Sequence, residues 1–150
     1  MPEFSITSPD FEEGGEIPKK FGYKHGNETP RIELHNVPEF VCSSVALIMD
    51  DPDAMAVVGK VWVHWLLFDG NTPNFPGGNI AGVFGKGKND FGEIGYGGPA
   101  PPDGRHTYIF KAYALDTTPE LKEGYSKQEL EDAMKGHIIA EAKLTGTFAP

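Results

Sequence analysis

A mainly β fold is what the sequence predicts, and three observations carry the prediction. Several segments alternate apolar and polar residues with the period of a strand. The chain's 19 Gly and 13 Pro supply turns and disfavour long helices. A single segment carries the 3.6-residue period of an amphipathic helix. At 150 residues the chain suits one domain, 1–150, since compact domains most often hold about 100–150 residues. An apolar fraction of 39%, with 10 Phe and 5 Tyr, is enough for a packed core.

The first thirty residues, rich in Gly, Pro and charge, read as short strands and loops that wrap the surface. In Arg31–Pro38, Ile32 and Leu34 alternate with polar neighbours as in a half-buried strand, and Pro38 ends it. Ser44–Asp50 is a more uniformly apolar strand. Val61–Asp69 is apolar at both parities, with Val61, Val63, Trp65 and Leu67 on one face and Trp62, Leu66 and Phe68 on the other. This pattern predicts a central strand covered on both sides, interrupted by His64. His106–Asp116 turns His106, Tyr108, Phe110 and Ala112 one way. The helix starts at Ser126, where Ser126 and Glu129 form a capping box. Leu130, Ala133, Met134 and His137 follow at helical spacing, and Gly136 is placed to close the helix. Ala140–Phe148 reads as a final short strand, with Gly146 at a bend or bulge; a helix continuing through Ile139 or Ala140 is the alternative.

A net charge of −9 opposes nonspecific binding to nucleic acid or an anionic membrane, which both need clustered Lys and Arg. One cysteine, Cys42, makes an intrachain disulfide impossible and reads as a small buried residue. The N-terminus lacks the basic start and apolar core of a signal peptide, and no apolar run reaches the ~20 residues of a membrane helix. The expectation is therefore a soluble cytoplasmic protein without integral membrane association.

Candidate site residues fall in four stretches. "DDPDA", Asp50–Ala54, ends an apolar strand in three carboxylates around a proline. "WVHW", Trp62–Trp65, sets a histidine in an apolar strand. "NDFGEIGYGGPAPP", Asn89–Pro102, is too rich in Gly and Pro for regular structure. Gly97 and Gly98 allow close backbone approach and offer free N–H groups, while Pro99, Pro101 and Pro102 stiffen the loop, as an anion-binding loop requires. "GRHTYIFKAYALD", Gly104–Asp116, adds a second histidine and a tyrosine on one strand face. Read alone, Asp51 and Asp53 are turn residues and His64 is a structural histidine. His25 and His35 read as surface residues, and His137 serves a helix end. Asp90 is a candidate loop cap and Tyr96 a candidate plug over a pocket.

In this order and with the "AMKGHIIAEAKLTGTF" segment, Ala133–Phe148, the four stretches resemble the phosphatidylethanolamine-binding protein family, in its short prokaryotic, Raf-kinase-inhibitor-like branch. The resemblance covers residues 4–148. It implies a large central sheet packed on a smaller one, a C-terminal helix, and a small pocket for phosphate-type groups such as phospholipid head groups. Carried over, that pocket is formed by Asp51, His64, Gly97, Gly98, Pro99, His106 and Tyr108, with Trp62 as wall and Asp53 beside it. Asp51 would hydrogen-bond an imidazole and hold it protonated, making a better phosphate donor. The implied role is noncatalytic ligand binding, with a phosphorylated metabolite or side chain, or a regulated protein partner, among the candidates. No cofactor and no metal are expected. An enzyme using Asp51, His64 and His106 as an acid/base or metal set is the alternative reading. Met55 stands where the family commonly has proline; because a cis bond before a non-proline residue costs about 2.5–4 kcal/mol, the Ala54–Met55 bond is expected trans. Ala100 stands where the branch often has cysteine.

Overall fold

The computed structural model describes residues 3–38, 41–69, 74–75 and 85–150. Its strands are β1 (Ser5–Thr7), β2 (Gly15–Glu16), β3 (Ile32–His35), β4 (Ser44–Asp51), β5 (Trp62–Asp69), β6 (Asn74–Phe75), β7 (Gly85–Lys86), β8 (His106–Leu115) and β9 (Ile138–Phe148). The helices are α1 (Met55–Val58) and α2 (Lys127–Met134), with single 3-10 turns at Lys19–Phe21 and Pro52–Ala54. A six-stranded sheet runs β2-β9-β8-β4-β5-β7, and a three-stranded sheet runs β1-β3-β6. All the pairings are antiparallel except β2 with β9.

Burial on both faces explains the apolar runs. Between the sheets, Ile6, Ile32 and Leu34 meet Val45, Leu47, Met49, Trp65, Leu67 and Phe110. On the other face, Ala46, Ile48, Val63, Leu66 and Leu115 pack against Tyr125, Leu130 and Met134. The most central strands are β4, buried at all eight positions, and β8. β5, expected to be central, has β4 on one side and only the two-residue β7 on the other.

Three further expectations change. The N-terminal segment enters the core, where Phe11, Ile17 and Phe21 are buried. It lies so close to β9 that a side chain at Gly146 would meet Ile17 and Phe11 at 2.7 and 2.9 Å. Close packing thus accounts for this glycine; the irregularity in the β8–β9 ladder lies at Ala114/Leu115. The third change concerns His137. Although the Ser126–Glu129 capping box forms and Gly136 adopts φ +83°, α2 ends at Met134 and His137 lies beyond it, bonded to Asp116 at 2.7 Å. Strand β9 then begins at once, leaving no helix through Ile139 or Ala140.

The described peptide bonds are all trans, Ala54–Met55 included. Among the described residues no helix is long and apolar enough to cross a membrane.

Candidate functional site

Strand parity assembles the site, and one bulge corrects it. In β4, Met49 and Asp51 face the smaller sheet while Asp50 faces α2, because successive strand residues alternate sides. The β4–β5 register pairs Met49 with Trp65 and Asp50 with Val63, so His64 is the extra residue of a β-bulge. Consequently Trp62, His64 and Trp65 take one face, and Val63 joins Leu66 on the other. The simple alternation expected for β5 had instead grouped Val63 with Trp65. On β8, His106 and Tyr108 share the face of Asp51.

The turn after β4 fixes Asp51. Pro52 opens the 3-10 turn, where its locked φ fits and its missing N–H costs nothing. Asp51 Oδ1 caps that turn by accepting the Asp53 N–H at 2.9 Å. Its Oδ2 lies 2.6 Å from His106 Nδ1, with both side chains 5% exposed. Asp53 is exposed and accepts the Thr107 N–H at 2.8 Å, tying the turn to β8. A left-handed Gly59, φ +77°, closes α1, which directly follows the turn.

The two histidines differ in charge. His106 meets a carboxylate at each nitrogen, Asp51 at Nδ1 and Asp103 Oδ1 at Nε2, both at 2.6 Å. Since carboxylates accept, the arrangement is fully satisfied only by imidazolium. Burial alone would lower the His106 pKa, but the bonds to Asp51 and Asp103 outweigh it and raise the value above its ordinary level. His64 is buried and points Nδ1 at the Gly97 carbonyl, 2.6 Å away. A carbonyl only accepts, so Nδ1 carries the proton. Burial pushes the His64 pKa down against the opposing pull of the Gly97 carbonyl and Asp51, leaving a neutral ring whose Nε2 is an acceptor. Tyr108 is held protonated, by burial first and the nearby Asp51 charge second.

These groups line a cavity of about 140 Å³, well under the roughly 300–1,000 Å³ of drug-sized sites. Asp51, His64, His106 and Tyr108 contribute its polar groups; Ala54, Val57, Val58, Trp62, Phe91 and the Ala100–Pro102 segment form apolar walls. The Tyr108 hydroxyl makes no well-formed hydrogen bond, although Asp51 and the Ala100 backbone lie near it; the Trp62 Nε1–H is buried without a partner, as is the Trp65 Nε1–H in the core. Among the described residues no three His, Cys, Asp or Glu side chains are grouped as metal ligands.

The structure brings Asp51, Trp62, His64, His106 and Tyr108 together, but not Gly97, Gly98, Pro99 or Asp53, which lie outside the cavity lining. The glycine amides are also not free. Gly97 N–H donates to the His64 carbonyl at 2.9 Å, and Gly98 N–H donates to Asn27 Oδ1 at 2.7 Å. A side chain at Gly98 would come within 1.9 Å of the Phe21 carbonyl oxygen. This loop therefore orients His64 and anchors the N-terminal segment.

Asn89 organises the loop, its amide oxygen receiving the Phe91 and Glu93 N–H groups at 2.9 and 3.1 Å. Tyr96 does not cover the cavity; its hydroxyl donates to the Phe21 carbonyl at 2.8 Å and its ring packs edge-on against Trp65. Asp90 accepts the Val63 N–H at 2.7 Å and pairs with Lys60. Sequence reasoning missed Phe91, Val57, Val58 and Asp103. Of these, only Asp103 left a signal, a carboxylate three residues before His106.

Residues 7–149 match the sequence profile of the phosphatidylethanolamine-binding protein family. The chain belongs to this family. It is 41% identical to a UPF0098 protein of Methanothermobacter thermautotrophicus, over 96% of this chain and 97% of that protein. A UPF0098 protein of Chlamydia muridarum is 40% identical, over 95% and 97%. Among solved structures, the putative phosphatidylethanolamine-binding protein homolog CT736 of Chlamydia trachomatis superposes with a TM-score of 0.88 at 38% identity, covering 98% of this chain and 97% of that one. Escherichia coli YbcL, described as a new member of the mammalian family, gives 0.88 at 27% identity and 98% coverage of both chains. Membership in the phosphatidylethanolamine-binding protein family makes this a ligand-binding fold, with a large sheet packed on a smaller one.

Proposed function

We propose that the protein is a noncatalytic receptor for a small phosphate-type anion, such as a phosphorylated metabolite, a phosphorylated side chain or a phospholipid head group. The observation that carries this reading is the pair of buried donors without well-formed hydrogen bonds, Tyr108 Oη–H and Trp62 Nε1–H, on the cavity that also holds the imidazolium of His106. Leaving a buried donor unsatisfied costs about 1–3 kcal/mol, and an anion supplies the acceptors. His106 gives the positive charge without any Lys or Arg in the lining. Neutral His64 suits the remaining O–H of a phosphate monoanion, because its Nε2 accepts.

The noncatalytic half rests on His106, since in this reading the cavity's one free imidazole lone pair, at His64 Nε2, is taken up by the phosphate O–H. A general base or a metal ligand needs such a pair, and His106, bonded to carboxylates through both nitrogens, has none to offer while protonated. Tyr108 is likewise held as a neutral phenol.

The test is calorimetric titration at pH 6 with inorganic phosphate and O-phosphorylethanolamine, in chelator, beside Asp51→Asn. Heat of binding from wild type, and affinity at least ten-fold weaker in the variant, are expected, ten-fold being about 1.4 kcal/mol. Wild type that takes up neither compound would sink the reading.

A further inference from the structure

We infer that Asp103 is a built-in competitor for the anion seat, a specificity-determining residue that an incoming ligand must displace from His106; the inference rests on the anion-receptor reading above. The two carboxylates on His106 are not equivalent. Asp51 is buried, at 5% side-chain exposure, and is held a second time by the Asp53 N–H. Asp103 is 56% exposed, and His106 is its one side-chain partner among the described residues. With more than half of its side chain in solvent, the carboxylate has room to swing outward.

Its departure would uncover an imidazolium N–H that Asp51 already orients and keeps charged. An aspartate carboxylate offers such a donor what any small carboxylate offers, two anionic oxygens. Being tethered, it does so at an effective concentration on the order of mM or above. A free monocarboxylate exchanging with Asp103 therefore gains nothing at His106. A phosphate group carries more acceptor oxygens, and while one replaces Asp103 another is left for the Tyr108 hydroxyl, which lacks a well-formed hydrogen bond. The internal carboxylate thus acts as a filter that rejects carboxylates and admits phosphate-type anions, at some expense in affinity for the admitted class.

Wild type and Asp103→Asn would be titrated calorimetrically with inorganic phosphate and with acetate at pH 6, following the imidazole ¹⁵N resonances of His106. Asparagine keeps the size and loses the charge. The variant should bind phosphate about ten-fold more tightly, a factor equal to about 1.4 kcal/mol, and should acquire acetate binding that wild type lacks. A gain of this kind does not arise from a poorly folded protein. If wild type binds phosphate and the variant binds it no better, the competitor role is overturned and the receptor reading stands. Phosphate binding that leaves the His106 resonances unmoved overturns it equally. If neither protein binds phosphate, the receptor reading falls and the competitor role falls with it.

Discussion

Asp50, Asp51 and Asp53 are three carboxylates within four positions, and each has a different destination. Strand alternation sends Asp50 towards α2 and Asp51 under His106, while Asp53, beyond the proline, accepts a backbone N–H of β8. The chemistry of the site depends on protonation as much as on position. Asp51 makes one histidine cationic, and burial keeps the other neutral. Tyr108 lends itself to a test that separates binding from stability. Its hydroxyl is buried without a well-formed hydrogen bond, so Tyr108→Phe should leave ligand-free stability unchanged or raise it by up to about 1 kcal/mol, while weakening phosphate affinity by about 0.5–1.5 kcal/mol. Denaturant melts and calorimetry on the same preparation would check both; a destabilised variant with normal affinity would contradict the assignment. At this scale the sequence was informative where a residue type is rare in its setting, as with a histidine between tryptophans. The signal left by Asp103 was ambiguous, because an aspartate beside glycine is also an ordinary turn residue.

Among the elements, α2 is fastened to the large sheet by charge as well as by Leu130 and Met134. Asp50, 1% exposed, receives Lys111 of β8 and Lys127 of α2 on the same oxygen, at 3.1 and 3.0 Å. Asp50→Asn should lower the unfolding free energy by about 1.5–3 kcal/mol, the range for hydrogen bonds to charged groups. Phosphate affinity should stay within two-fold, since Asp50 faces away from the cavity. Equilibrium denaturation and titration of the variant would show it, and a large loss of affinity would mean that the two faces are coupled. The long strands and the capping box were legible because each is encoded by its own residues. By contrast, α1 was not, being four residues with two β-branched valines and weak helix propensity. The glycine loop was misread for a different reason. Its amides are consumed by Asn27 and the His64 carbonyl, partners far away in sequence.

For the molecule as a whole, pH sets two opposing trends. His106 has a raised pKa, so the stability it contributes is fully present below the unfolded value of about 6.5 and is lost as pH rises through the folded value. The charged or titratable groups facing it are Asp51, Asp103 and the neutral Tyr108. His64 has a lowered pKa, so its contribution is present above about 6.5 and is lost as pH falls through its folded value. The two windows meet at about 6.5, so wild-type stability should be greatest near that pH and fall on either side of it. Asp103→Asn removes one of the two carboxylate charges that raise the His106 pKa and should reduce the loss on the alkaline side. Denaturation midpoints from pH 5.5 to 8.5 would reveal this, and identical profiles for the two proteins would count against it. Mean architecture followed from composition and strand period, whereas the entry of Phe11, Ile17 and Phe21 into the core did not, because that segment has hardly any periodic structure to announce its burial.

The bulge at His64 divides β5 into two reading frames. Before it, Trp62 and His64 face the cavity; after it, Trp65 and Leu67 belong to the core between the sheets, and both sets occupy the same side of one strand. An odd-numbered residue and an even-numbered one thereby share a face without either half giving up its alternation. Cavity lining and core packing are thus written on one strand as separable clauses, so that a substitution at the cavity end need not disturb the shape of the core end.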